Sequence, residues 1–382
     1  MTKDSKQLSL FEGTHSKEVF RAGDAFEAAR LTQARTLAGL TKQALAEKLR
    51  VSPAAIGQFE SRVTPPRAEL VAEIAEVLNV PVGFFYAGRP LGRLDAAAAH
   101  FRSLRSTRSA DRARAATFVE QVWELCFALE KRIQFPEVDL PIAEAPADQV
   151  DPVEAARAVR RAWGVAPGPF RHLVATLESR GIVVTILALS NDAVARVDAF
   201  STGSLGRPIV VVTPERASTV YRHRFTCAHE LGHLIMHSDV APGDLQQERE
   251  ADAFAAELLT PSAEIELVLP RTLRLSELDR IGRSWGVSPE SLIRRMQELR
   301  PVPDTAIRRA YQRLRSANEF QTAEPVAAYR GEMPTMLLEG QRLAEQHGFS
   351  LIDLANELMW PVSRVREILG AEDTRPKLQL VP

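Results

Sequence analysis

Cysteine is almost absent: 382 residues carry two, Cys126 and Cys227. Two thiols cannot frame a disulfide-stapled fold, and a reducing cytoplasm is the expected compartment. Long apolar runs are missing as well. No stretch approaches the ~18 residues that span a bilayer, so no membrane association is expected. The N-terminal MTKDSKQLSLFEGTHSKEVF has no apolar h-region and no small-residue cleavage site, so a secretory signal is not expected either. Charge of one sign is lacking too: 48 Lys and Arg stand against 49 Asp and Glu, a formal net charge of −1. Whole-chain charge therefore favours no class of partner, and nucleic acid must be met by a local patch. No solenoid-type repeat is visible. What is there is ordinary globular material, 45% hydrophobic and 25% charged, in a length that suits two or three domains.

The order of patterns along the chain predicts a multidomain protein. Residues 1–23 are polar and aperiodic and read as a flexible arm. Residues 24–88 carry dense helical periodicity, with Leu31, Ala34 and Leu37 on one face, Thr41 capping a second helix, and Ser52 and Pro53 opening a third. This predicts a compact all-α unit. Residues 89–139 read as a helical connector, holding Arg102, Arg105, Arg108, Arg112 and Arg114. A Pro/Ala/Asp-rich stretch at 140–152 is the clearest linker. From 153 to 300 the pattern is mixed α and β, with short β-branched runs GIVVTIL, VDAFST and PIVVVT. Residues 301–382 are helical again. Two late segments, LDRIGRSWGVSPESLIRRMQEL and SLIDLANELMWPVSRVREIL, read as helix–turn–helix.

The pentapeptide His229-Glu230-Leu231-Gly232-His233 carries the strongest chemical signal. A helix turns about 100° per residue, so His229 and His233 lie one turn apart on one face. Two imidazoles so placed can bind one tetrahedral Zn²⁺. Glu230, beside the first of them, can take the proton of an attacking water. Apolar flanks Phe225, Ala228, Leu231, Leu234 and Ile235 bury the helix, and unpartnered His and Glu would be costly there. A third donor is needed. His237 lies about 12 Å along the axis from His229, too far for one ion on a straight helix. The next helix, EREADAFAAELL, offers Glu248 and Glu250. Glu248 shares the inward stripe of Ala251 and Ala255 and is preferred, and Asp252 is placed to orient a histidine. Cys227 lies on another side of the helix and reads as a small buried thiol. Tyr221, Arg222 and His223 are near in sequence, but none is distinguished as an oxyanion-stabilising group.

At PIVVVT, RFTCAHELGHLIMH and EREADAFAAELLTP the chain resembles the ImmA/IrrE family of zinc metallopeptidases, over roughly residues 150–300. The resemblance implies an α+β zincin-like domain holding one Zn²⁺ per chain. His229, His233 and Glu248 would be its ligands and Glu230 the catalytic acid/base. It also implies a protein substrate, a helix-turn-helix repressor, whose cleavage switches on genes of a stress or mobile-element response.

Residues 31–86 resemble the Cro-like XRE helix-turn-helix family. The likeness implies a third helix in the major groove, with Ser52, Ala54, Ala55 and Gln58 toward base edges. Gln58 would be the bidentate reader of adenine, and Thr41, Gln43 and Arg62 would contact phosphates. Seven basic and seven acidic residues between 24 and 88 give no net charge to support non-specific DNA affinity. The arginines at 102–114 could supply it.

These readings together predict a cytoplasmic transcriptional regulator: an all-α helix-turn-helix domain, a helical connector, an α+β metallopeptidase domain and a helical C-terminal region. Double-stranded DNA is the expected partner, bound as a homodimer. The substrate chain would be held by PIVVVT acting as an edge strand, or the protein would cut itself at 140–152. The rival expectation is a transcription factor whose metal domain only senses a ligand or holds structure. Finally, Gln7-Leu8-Ser9-Leu10-Phe11 resembles the peptide by which replication and repair proteins dock on the DNA sliding clamp.

Overall fold

The structure is a computed structural model. It describes residues 25–94, 100–101, 108–141, 150–187, 199–237, 245–316 and 325–371. The pentapeptide Gln7–Phe11, Arg102, Arg105 and most of the 140–152 stretch lie outside the described residues.

The first four helices follow their caps. They are α1 (Ala28–Leu37), α2 (Lys42–Leu49), α3 (Pro53–Glu60) and α4 (Ala68–Leu78). Thr41 accepts from the Ala44 amide at 3.0 Å, and Ser52 from the Ala55 amide at 3.1 Å, each relieving an orphan helix donor. Arg50 (φ 54°) turns the chain left-handed between α2 and α3. Leu31, Leu45, Ile56, Val71 and Ile74 meet in the centre, fully buried. Glu60 ties α3 back to α1 through Arg35, Nε to Oε1 at 2.6 Å.

A two-residue strand, β1 (His100–Phe101), precedes the long helix α5 (Ser109–Glu130). This helix is a buried spine rather than a spacer. Phe118, Val119, Val122, Leu125 and Leu129 are fully enclosed. Arg30 of α1 and Glu124 of α5 form an ion pair at 2.5 Å, with both side chains shielded from solvent. Gln33 adds a hydrogen bond to Glu124 at 2.8 Å. Within the arginine run Arg108 is exposed and Arg112 half-buried, and it is Arg114 that needs correcting as a DNA contact. Arg114 is buried, and its Nε donates to the Leu37 carbonyl at 2.8 Å, satisfying the C-terminal end of α1.

The mixed α/β part begins with α6 (Pro152–Ala162) and α7 (Leu173–Ser179), followed by β2 (Val183–Ile186), β3 (Ala199–Thr202) and β4 (Ile209–Val212). The strands lie in the order β1-β3-β4-β2. The β2–β4 pair is parallel and the other two are antiparallel. The run PIVVVT therefore forms the interior strand β4 and not an edge. Its unbroken apolar composition is the reason: Ile209, Val210, Val211 and Val212 are all fully buried, as a strand covered on both faces requires. Val210 and Val212 face the core that contains α8 and α9, and Ile209 and Val211 face the core that contains α5.

Two long helices cover one face, α8 (Val220–Met236) and α9 (Leu245–Leu259). Behind them lie α10 (Ser262–Val268), α11 (Leu275–Trp285), α12 (Pro289–Leu299) and α13 (Asp304–Ser316). The chain ends in α14 (Met336–Gln346), α15 (Leu351–Leu358) and α16 (Val362–Leu369). Among the described residues, no helix is long and apolar enough to cross a membrane.

The last three helices repeat the first three: SLIDLANELMWPVSRVREIL forms the expected helix–turn–helix, α15 and α16, in the register of α2 and α3. Ser350 caps α15 as Thr41 caps α2. Met359 (φ 52°) repeats the left-handed Arg50. The turn bonds recur at constant displacement: Leu40 N to Arg35 O becomes Phe349 N to Ala344 O, and Val51 N to Ala46 O becomes Trp360 N to Ala355 O. Core positions match as Leu45/Leu354, Ala46/Ala355, Leu49/Leu358 and Ile56/Val365. The outward positions do not match. Where α3 exposes Gln58, α16 has Glu367, and Arg364 of α16 turns inward to donate to Gln121 of α5 at 2.7 Å. The second copy thus packs on the spine through α14 and α15, with Arg364 of α16 reaching it by a side chain.

Candidate metal centre

Helix α8 is set by its surroundings more than by its caps. Fourteen of its seventeen residues are buried between the sheet and α9. Gly232 permits the close approach: a Cβ there would meet Phe254 Cδ1 at 3.0 Å and Ala251 Cα at 3.4 Å. A side chain at that position would push α9, and Glu248 with it, away from the histidines.

His229 and His233 are buried and point their Nε2 atoms at each other, 3.1 Å apart. The Glu248 carboxylate closes the triangle. Its Oε2 lies 3.4 Å from His229 Nε2, and its Oε1 lies 3.5 Å from His233 Nε2. Four donors at about 2.0–2.1 Å around a tetrahedral Zn²⁺ stand about 3.3 Å from one another. The three separations therefore suit a shared ion. Among the described residues these three form the only such group of His, Cys, Asp and Glu. Burial works against a charged Glu248, but the two imidazoles outweigh it and hold the carboxyl down at about 2.

The far ring nitrogens are engaged elsewhere, which fixes the tautomers. His229 Nδ1 lies 2.9 Å from Asp252 Oδ1. His233 Nδ1 lies 3.0 Å from His237 Nδ1, and His237 Nε2 lies 2.9 Å from Glu250 Oε2. The helix ends at Met236, and His237, four residues after His233, lies beside it at the helix end. Glu250, passed over as a donor, finds its place in this relay. Removing either support should weaken the ion. Asp252→Ala is expected to lower zinc affinity by about 10–100-fold, measured by competition with a chromogenic chelator. Cys227→Ser, remote from the three donor atoms, should leave affinity unchanged.

Glu230 is fully buried, and its Oε2 accepts from Ser201 Oγ at 2.8 Å. The same hydroxyl reaches the Glu230 carbonyl at 3.2 Å. Strand β3 thereby orients the carboxylate that neighbours His229. No spacing rule links residues 201 and 230, so this contact was not readable from the chain.

The other residues near α8 face away from the triangle. Cys227 is enclosed, and burial pushes its thiol well above the usual range. His223 donates from Nε2 to the Glu332 carbonyl at 2.9 Å, and burial takes it down to about 4, leaving it neutral. Tyr221 OH meets Tyr329 OH at 3.4 Å, and Arg222 lies 3.7 Å from Glu215. A cavity of about 570 Å³ begins at Asp252 and runs along the N-terminal half of α8, past Phe225, Leu259, Arg294 and Tyr311.

At the other end of the molecule, Thr41, Gln43, Ser52, Ala54, Gln58 and Arg62 are all exposed, and Ala55 is half-buried. Gln43 bonds Glu47 at 3.1 Å. Arg62 (φ 61°) pairs with Glu27, which ties the turn after α3 to the start of α1.

Residues 31–85 match the model of the helix-turn-helix family, and residues 177–297 match that of the M78 peptidases, described as the IrrE N-terminal-like domain. No curated protein matches the chain. The first match covers α1 to α4, and the second runs from α7 to α12 and contains the His229–His233–Glu248 triangle. In chain order, the protein joins an XRE-type helix-turn-helix domain to an ImmA/IrrE-like M78 peptidase domain.

Proposed function

We propose that the protein is a DNA-bound regulator that hydrolyses a peptide bond in a protein substrate, using His229, His233 and Glu248 to hold Zn²⁺ and Glu230 as the proton carrier. The convergence of two imidazole Nε2 atoms and one carboxylate at near-tetrahedral spacing carries this reading. Zinc bound there would polarise the scissile carbonyl and activate water at neutral pH. Glu230 takes the water's proton and returns it to the leaving amine. Ser201 holds Glu230 in the orientation for both transfers. Asp252 and the His237–Glu250 pair keep each ligand ring in the tautomer that leaves Nε2 free to bind. The purely structural rival is disfavoured by the donor count. A structural zinc takes four protein donors, whereas three converge among the described residues. The substrate we propose is a helix-turn-helix repressor, or the chain itself, in a stress or mobile-element response. The test is incubation of zinc-loaded protein with such repressors, read by mass spectrometry. Cleavage confined to the zinc-loaded form supports the reading, and intact repressors throughout sink it.

For the DNA-binding end, α3 presents Ser52, Ala54, Ala55 and Gln58 to the major groove, and a homodimer would read a palindromic site. Gln58→Ala should cost about 1–3 kcal/mol on the preferred sequence and relax preference at one base pair. Arg62→Ala should weaken all sequences alike. A binding-site selection on both variants reads this out. An unchanged preference for Gln58→Ala would remove it as a base reader. Thr41 and Gln43 are assigned to phosphates on the same face. The arm pentapeptide Gln7–Phe11 remains a proposed sliding-clamp contact. Fluorescence anisotropy of residues 1–16 with and without Leu10→Ala and Phe11→Ala decides it.

A further inference from the structure

Strand β3 pairs along its inner side with β4, from Ala199 opposite Val212 to Thr202 opposite Ile209. Along its outer side it pairs with β1, His100 opposite Ser201 and Phe101 opposite Phe200, running antiparallel. Ser201 is the residue whose hydroxyl holds Glu230. The His100 backbone therefore runs one strand spacing, about 4.8 Å, from the strand that positions the proton carrier. This strand does not belong to the peptidase domain. It comes from the segment between the helix-turn-helix domain and α5.

The sheet order leaves two candidate edges for an incoming chain. The β2 edge lies against α14 and α16, far in the sheet order from Ser201. The outer side of β3 belongs to the strand that carries Ser201. β1 covers it with two residues, while β3 itself has four. A longer extended chain could make more ladder bonds on the same edge than β1 does.

We propose that His100–Phe101 is a resident competitor on the edge of β3, occupying the place where an extended protein substrate adds as an antiparallel strand. For the identity of the incoming chain, this rests on the peptidase reading above. A tethered strand acts at an effective concentration of about millimolar. It excludes weakly binding chains and yields to a substrate with better side-chain contacts. The occupant and the DNA-reading domain share one continuous connector, so the edge is guarded by a segment leading directly from α4.

The experiment uses the full chain in a Glu230→Gln background, so that bound peptide is not cut. His100→Pro with Phe101→Pro removes both amide donors of β1. A labelled peptide copying residues 96–105 is titrated into parent and variant by fluorescence anisotropy, and amide exchange is followed at Phe200 and Ser201. The vacated edge should bind the peptide about tenfold more tightly or better. One of these two amides faces β1 and the other β4; exchange at the β1-facing one should be faster in the variant and slow again with peptide, while the other stays as in the parent. Equal affinity in both proteins, or unchanged exchange, overturns the proposal. Zinc content and circular dichroism matching the parent verify the fold. If the proline pair disturbs it, the single replacements His100→Pro and Phe101→Pro make the same comparison, one of them removing the amide that faces β3. A protein that binds peptide as expected but holds no zinc would sink the peptidase reading and leave the edge assignment standing. Repressor cleavage by the Glu230-intact chain, with equal peptide binding by the two Glu230→Gln forms, would do the reverse.

Discussion

Glu230→Gln should hold zinc at wild-type stoichiometry and lose peptide cleavage by about 10²–10⁴-fold. The two halves of this result have separate causes. The proposed metal triangle comprises His229, His233 and Glu248, whose donor atoms lie within 4.8 Å of one another, and Glu230 is not one of them. Its replacement is isosteric, and a glutamine carbonyl still accepts from Ser201 Oγ, so the helix and its packing are retained. What disappears is a group able to accept and return a proton. His229→Ala and His233→Ala should give the opposite signature, loss of the ion itself, because two donors then remain. Glu248→Ala should weaken zinc more than Glu250→Ala, since Glu250 acts only through His237. Metal analysis of the purified variants, paired with cleavage of a candidate repressor, reads both outcomes. A Glu230→Gln protein that still cleaves at the parent rate would remove Glu230 from the chemistry. A Glu250→Ala protein that loses more zinc than Glu248→Ala would reassign the third donor.

The parts of this site that could be read from the chain are those with local periodicity. His229 and His233 share a face because both belong to one helix. Glu248 and Asp252 share a stripe because both belong to the next. The Thr41, Ser52 and Pro53 caps are local in the same sense, and α2 and α3 start where those residues place them. The unreadable parts depend on distant packing. Nothing near residue 201 announces that a serine on β3 will reach Glu230, and nothing near 250 shows that His237 will meet it. PIVVVT has the composition of a strand but carries no mark of its neighbours. Its unbroken apolar run, covered on both faces, was a better guide to an interior position than its β-branched content was to an edge. Arg114 failed as a DNA contact for the same reason. A run of arginines shows charge, whereas the burial that pairs Arg114 with the Leu37 carbonyl is set by how α5 packs on α1. The helix–turn–helix pattern of α15–α16 was legible, but its register match to α2–α3 was not, because identities persist at a few core positions while the outward positions have diverged.

The peptidase fold should fail in a chain that stops at residue 300, although the M78 match ends at 297. The reason lies in residues 331–336. Glu332 is buried, and its carboxylate receives the Arg224 guanidinium and the Leu173 amide, the latter at 3.1 Å. Its carbonyl accepts from His223 at 2.9 Å. Arg224 and His223 belong to the first turns of α8, the helix that carries His229, Glu230 and His233. Three residues further on, the amides of Thr335 and Met336 bond Glu178 at the end of α7, at 3.0 Å each. Without this segment Arg224 stays buried with only the carbonyls of Gly286 and Phe170, which leaves a charge uncompensated. Breaking a buried ion pair from one side costs about 3–5 kcal/mol. That is a large share of the ~5–15 kcal/mol that stabilises a typical domain. Glu332→Ala in the full chain should therefore lower stability by about 3–5 kcal/mol in urea unfolding followed by tryptophan fluorescence. Glu332→Gln should lose less, because it keeps an acceptor for Arg224 while losing the charge. A fragment of residues 150–300 that unfolds cooperatively and binds one zinc would overturn this account. So would Glu332→Ala with the parent midpoint.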